Sequence, residues 1–276
     1  FSKTVFTDPS QGGVAYTSFV GETIKDVDVQ ISSRESSLAS GNFGYTIVLH
    51  EIGHALGLKH PGNYGSGDNA PFLSSAEDNF RATIMSYNND SIATYDNPPT
   101  TPMLYDIAAM QYLYGANTSY QAGDTFYQLN GLKNVQTLWD GGGSDMLSAS
   151  TYSGTDGVRI DLGEGLENYS KVGSNYAWIA FNANIEHAEG SSANDIMAGN
   201  TLGNTLYGRA GTDTINGGAG VDTLFGGVGG VDTIDAGDEL YGGTEGDQIY
   251  GNSGNDIIYG GRGIFDPEDG NDLGYG

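Results

Sequence analysis

Three of the chain's four histidines fall within eleven residues, in the run His50-Glu51-Ile52-Gly53-His54-Ala55-Leu56-Gly57-Leu58-Lys59-His60-Pro61. Residues four apart on a helix stand one above the other, so His50 and His54 present both imidazoles to one point. Glu51 sits beside that point and can reach a water there without being a ligand. A third ligand must come from beyond the helix. Gly57 can take the left-handed conformation that ends a helix and turns the chain back, which brings in His60. Three neutral imidazoles with a fourth position open to water form a catalytic zinc arrangement. His50, His54 and His60 are therefore candidate zinc ligands, and Glu51 is the candidate general base.

A second pattern begins at Gly190. Glycine recurs every nine residues at Gly190, Gly199, Gly208, Gly217 and Gly226, then again at Gly242, Gly251 and Gly260. The eighth position is apolar (Met197, Leu206, Ile215, Leu224, Ile249, Ile258), and the sixth is Asp195, Asn204, Asp213, Asp222, Asp247 or Asp256. This is the Gly-Gly-x-Gly-x-Asp-x-apolar-x pattern of calcium-binding parallel β-rolls. Six residues make a turn whose carbonyls and carboxylates converge on a hard cation, and three make a strand that sends one aliphatic inward. Each nonad is half a turn, so Asp195 should stack on Asp213. Between Gly226 and Gly242 the spacing is 16, and Asp232 arrives one residue late. Asn204 lacks a charge and should weaken its site. The stretch from Arg262 to Gly276 loses register. Upstream, Asp140-Gly141-Gly142-Gly143-Ser144-Asp145 is either a glycine-rich hairpin or one more calcium turn. The candidate calcium ligands are Asp145, Asp195, Asp213, Asp222, Asp232, Asp247 and Asp256.

The elements that position these groups are partly legible. Ile47, Val48, Ile52, Ala55 and Leu56 have helical spacing, so Tyr45 to Leu58 reads as the zinc helix. Asp26 to Ile31 alternates polar and apolar like a half-exposed strand, and could add an extended peptide along its edge. A second helix is expected from about Tyr105 to Tyr114, with Asp106 in its first turn and Gly115 behind it. Composition narrows the rest. Ten Lys and Arg against 35 Asp and Glu leave a net charge of −25, which speaks against nucleic acid and anionic membranes as partners. Glycine supplies 45 of 276 residues, about 16% against a usual ~7%, as an architecture of repeated tight turns requires. Cysteine is absent, which excludes disulfides and thiolate metal sites. His187 reads as structural, and Trp139 and Trp178 as core.

The histidine run resembles that of the metzincin zinc proteases, His-Glu-x-x-His-x-x-Gly-x-x-His followed later by a Met-turn. Pro61 after the third histidine points to the serralysin branch, as do Ala76-Glu77-Asp78, Thr83-Ile84-Met85-Ser86-Tyr87 and Asp106 to Gly115. The resemblance implies that Met85 forms an apolar floor under the zinc-binding imidazoles and that Tyr87 reaches the zinc or the reacting carbonyl oxygen. It implies an α+β metzincin catalytic domain over 1–115, truncated on its N-terminal side, since family members carry well over 49 residues before the zinc helix. An all-β parallel β-roll or β-sandwich follows over 116–276, with repeats from about 190. The implied protein is a secreted, extracellular bacterial zinc endopeptidase, stabilised by several calcium ions and exported by the type I route. Its partners would be protein or peptide substrates and a proteinaceous protease inhibitor, and it would be a monomer. The competing expectation is a non-catalytic RTX-type calcium-binding surface or adhesion module with a vestigial protease half.

Overall fold

The computed structural model describes residues 2–8, 11–21, 23–65, 67–229, 235–261 and 273–275. The chain divides into one unit of Phe1–Ala116 with Lys133–Thr137 and another of Asn117–Leu132 with Leu138–Gly276. Among the described residues no helix is long and apolar enough to cross a membrane.

In the first unit a three-stranded sheet packs on one face of a helix. The strands are β1 (Ser2–Thr4), β2 (Gly13–Val20) and β3 (Thr23–Ser32), in the order β1-β3-β2. The alternation expected around Asp26 to Ile31 is realised: Val29 and Ile31 are buried beneath α1 (Phe43–Ala55), together with Ala55. Each such side chain contributes about 1.5–3 kcal/mol on burial. The expectation that this strand is an open edge is corrected. β3 is central, paired with β1 on one side and β2 on the other, because β2 folds back through a tight turn at Gly21 (φ +64°). β1 covers β3 only at Gln30–Ser32, and the long outer edge of the sheet is β2.

The zinc helix begins two residues earlier than its apolar spacing indicates and ends at Ala55, with Gly57 at φ +92° turning the chain as expected. The second helix, α2 (Leu104–Tyr114), is capped by Asp106, whose Oδ2 accepts the Met103 amide at 2.8 Å.

The second unit holds two stacks of short strands. One runs in parallel through Phe126–Gln128, Met146–Ser148, His187–Glu189, Thr205–Tyr207, Thr223–Phe225, Gln248–Tyr250 and Leu273–Tyr275. The other runs through Arg159–Asp161, Ile196–Ala198, Thr214–Gly218, Glu239–Gly243 and Ile257–Gly261. On Arg159–Asp161 it continues with the antiparallel strands Ser170–Val172 and Asn175–Ile179. Successive nonads alternate between the stacks, and Met197, Leu206, Ile215, Leu224, Leu240 and Ile249 fill the interior at 0–1% exposure. Two features differ from the repeat pattern. The parallel stacking begins upstream of Gly190, so the turn ending at Asp145 is a roll turn and not a hairpin. At the other end Leu273 pairs with Gln248, so the final strand regains register after residues that the repeat does not fit.

Candidate active site

The three histidines converge. One ring nitrogen from each of His50, His54 and His60 lies within 4.8 Å of the others. Their Nδ1 atoms are all committed as donors: His50 to Ile84 O at 2.7 Å, His54 to Leu58 O at 2.9 Å, and His60 to Asp68 Oδ1 at 2.8 Å. In the neutral form each Nε2 carries a lone pair, and His54 Nε2 and His60 Nε2 stand 3.0 Å apart. Imidazole nitrogens converging this closely are the donor set that zinc requires. Burial, reinforced by the other two imidazoles, lowers the His50 pKa to about 3, and that of His54 is also lowered, first by burial. Neutral imidazoles are the ligand form.

Glu51, also on α1, is 5% exposed, and its Oε2 has no hydrogen-bond partner among the described residues. Loss of hydration raises its pKa to about 7. It is crowded from above by the start of β2. A Cβ on Gly13 would lie 2.6 Å from Glu51 Cγ, and one on Gly12 would lie 2.8 Å from Ile47 Cδ1. The two glycines let the strand pass directly over the helix.

Below the helix, Met85 is 2% exposed, and its Sδ would lie 2.5 Å from a Cβ on Gly53, which precedes His54. The turn carrying Met85 is held from behind by Asp106, which accepts the Thr83 hydroxyl at 2.5 Å and the Ile84 amide at 2.8 Å. Ile84 in turn accepts from His50, so a fully buried carboxylate on α2 sets the height of a zinc-site imidazole. Tyr87 is 48% exposed at the rim, with its hydroxyl 2.9 Å from His60 Nε2 and its ring stacked on Tyr64 at 4.5 Å. Sequence reasoning missed Asp68 and the positioning role of Tyr64. Asp68 lies in a Gly/Ser/Asn-rich loop, where no periodicity marks one acidic residue over another. It also accepts the Tyr64 amide, tying that loop to His60.

In the roll, each sixth-position oxygen supports the turn before it. Asp213 Oδ1 accepts the Asp195 amide at 2.7 Å, Asp222 Oδ1 accepts that of Asn204 at 2.7 Å, and Asp247 Oδ1 accepts that of Asp222 at 2.8 Å. The second oxygens of Asp213 and Asp222 are buried without a donor among the described residues. An orphaned anionic oxygen in a turn lined by carbonyls fits calcium. The first-position glycines are there for room: a Cβ on Gly208 or Gly217 would lie 2.4 or 2.3 Å from the Oδ2 of Asp213 or Asp222. Left-handed backbone is used instead at the fourth position, as at Gly211 (φ +126°) and Gly220 (φ +102°).

Asp232 lies outside the described residues. The place expected for it is taken by Asp238, whose Oδ1 accepts the Asp213 amide at 2.8 Å and whose Oδ2 faces Gly226. Seven extra residues precede Asp238, so the 18-residue stacking interval becomes 25 at the one step in each stack that spans them, Asp213 to Asp238 and Asp222 to Asp247, and Leu240 two residues on gives the signal that identifies Asp238. Asp256 Oδ1 accepts the Asp238 amide at 3.0 Å, and Asp195 Oδ1 accepts that of Val158 at 2.7 Å. Asp145 joins the same kind of ladder, accepting from Thr125 and donating its amide to Glu186, and its Oδ2 is buried without a donor. Asn204 is satisfied as a neutral residue: its Oδ1 accepts the Asn200 amide and its Nδ2 donates to Glu186 O. His187 bonds Ser144 and Trp178 is fully buried, both as expected, while Trp139 is only half-buried.

The profile of the reprolysin-like M12B metallopeptidase family matches residues 3–116, and that of the RTX calcium-binding nonapeptide repeat matches 189–224, 198–234 and 232–264. Among curated proteins, serralysin of Proteus mirabilis is 40% identical over 187 residues, covering 60% of this chain and 37% of that protein. Metalloprotease AprA of Pseudomonas entomophila is 39% identical over 192 residues (60% and 39%), and serralysin C of Dickeya chrysanthemi 41% over 179 (57% and 36%). Over these matched stretches the chain is similar to serralysins. It spans under two fifths of the length of these relatives. The serralysin-like pairing of a metallopeptidase segment with RTX repeats implies zinc at the three histidines and calcium in the nonapeptide turns.

Proposed function

We propose that this chain hydrolyses internal peptide bonds of proteins at the His50, His54 and His60 site, and does so outside the cell. The observation that carries this is the convergence of three imidazoles beside a buried carboxyl group, one oxygen of which has no hydrogen-bond partner among the described residues. Those imidazoles would hold zinc, which would supply Lewis acidity to polarise a carbonyl and to bring the pKa of a water toward ~7. Glu51 accepts the proton of the attacking water and passes it to the leaving amine. The Tyr87 hydroxyl, at the rim, donates to the oxygen that becomes negative. The open edge of β2, which begins against Glu51, offers unpaired backbone groups to an extended substrate as one more strand. Met85 keeps the floor apolar and α1 at a fixed height.

Asp145, Asp195, Asp213, Asp222, Asp238, Asp247 and Asp256 are proposed to face calcium. The roll then folds where calcium is plentiful, which suits a protein exported before it folds. A monomer open to protein substrates, and to a protein inhibitor entering the same cleft, completes the reading. The test is casein hydrolysis in calcium, with and without a zinc chelator, beside Glu51→Ala. Chelator-sensitive turnover that falls about 10²–10⁴-fold in the variant is expected. A zinc-loaded, folded chain without turnover would favour the non-catalytic calcium module instead.

A further inference from the structure

We propose that the cleft selects a cationic side chain, lysine or arginine, at a position flanking the scissile bond, and that Glu35 is the residue that selects it. This rests on the peptidase reading above. Phe43, Thr46, Ile47 and His50 lie three, four and seven apart, so they share one face of α1. A cleft of about 490 Å³ runs along that face from His50 and Glu51 to Phe43, closed on its other side by Phe80, Ile84 and Tyr95. Seven residues of helix make it about 10 Å long, which an extended lysine or arginine seated at Glu51 spans when the hydrogen bond of about 3 Å from its head group is included. Its walls are mostly aromatic and aliphatic, which suits the methylene stem of lysine or arginine.

The far end decides the chemistry. Glu35 lines the cleft there, with its Oε2 3.2 Å from where a Cβ on Gly44 would stand. Its backbone is fixed: the amide donates to Ser32 O at 3.1 Å, and the carbonyl accepts from Lys3 Nζ at 3.1 Å. The carboxylate itself has no hydrogen bond or ion pair with any described residue. Among the described residues no lysine or arginine lines the cleft, and its carboxylic acids are Glu51 and Glu35. An apolar channel ending in an unneutralised carboxylate favours a long cation and disfavours an acid.

The experiment uses the full chain in calcium and zinc, with casein as the activity control. Peptides randomised on both sides of one bond are digested and the product termini sequenced. Pairs carrying Arg, Met or Glu at the enriched position are then compared by kcat/KM, for the wild type, Glu35→Gln and Glu35→Lys. The expected result is enrichment of Lys and Arg at one flanking position, and an Arg:Met ratio of about three to ten. That ratio should fall toward one in Glu35→Gln, and the order of Arg and Glu should invert in Glu35→Lys. Casein cleavage with no basic preference, or the same ranking in all three proteins, overturns this selection and leaves the peptidase reading intact. If Glu35→Gln lowers thermal stability and leaves the ranking unchanged, Glu35 serves only the first turn of α1 and the selection is likewise overturned. If neither casein nor any peptide is cut, the peptidase reading falls and takes this one with it.

Discussion

Removing calcium should make the roll less stable as pH rises, the reverse of what paired carboxylates usually do. In the unfolded chain these aspartates ionise near pH 4. In the folded, ion-free roll, burial pushes Asp213 up to about 8, with Asp195 and Asp238 adding repulsion, and pushes Asp222 up to about 7, with Asp247 adding to it. A folded-state value above the unfolded one means that the folded state holds the proton more tightly. That stabilisation is complete below pH 4 and is lost as pH climbs through 7 to 8. Each of the two groups costs on the order of 4 kcal/mol between pH 4 and 7, against about 5–15 kcal/mol for a whole domain. Two such groups remove a large share of it. Calcium binds the ionised form and cancels the effect. The assay is urea unfolding followed by the fluorescence of Trp178, which is fully buried in this unit, at pH 5, 6, 7 and 8 in a calcium-selective chelator and in excess calcium. The urea midpoint should fall steadily with pH in chelator and hold in calcium. An ion-free midpoint that is flat or rises with pH would refute the reasoning.

Two further outcomes follow from contacts at the zinc site. Gly13→Ala places a methyl 2.6 Å from Glu51 Cγ, so turnover on casein should fall at least about tenfold through a displaced base while zinc content holds. Asp68→Ala frees His60 Nδ1 from its acceptor, and competition with a chromogenic chelator should show zinc affinity weaker by about 10–100-fold.

The parts of this molecule that sequence makes legible are those where one geometry repeats or one chemistry is dense. Histidines at helical spacing with Gly57 behind them lead to a metal point because few other arrangements use that pattern. An aliphatic at every eighth position leads to stacked turns because each strand must bury one. What stayed hidden depends on chain paths that local pattern does not encode. Asp68 approaches His60 from an irregular loop, and Asp106 acts on His50 through the backbone of Ile84. β3 reads as a half-exposed strand in isolation, and only the pairing of β1 and β2 on either side makes it central. Asp238 was masked by a seven-residue insertion that placed Asp232 nearer the expected spacing. Of the roll's upstream turns, the one ending at Asp145 was legible as one of two readings, whereas Glu186 escaped because it occupies the ladder without the glycine spacing of the nonads.

The central claim is that hydrolysis depends on one metal held by His50, His54 and His60. The direct measurement is peptide turnover as zinc is titrated into metal-stripped, calcium-loaded protein, beside His54→Ala. Activity should rise from background and saturate at one zinc per chain, and the variant should stay at background throughout. Turnover in the stripped protein, or an equal rise in His54→Ala, would contradict the account.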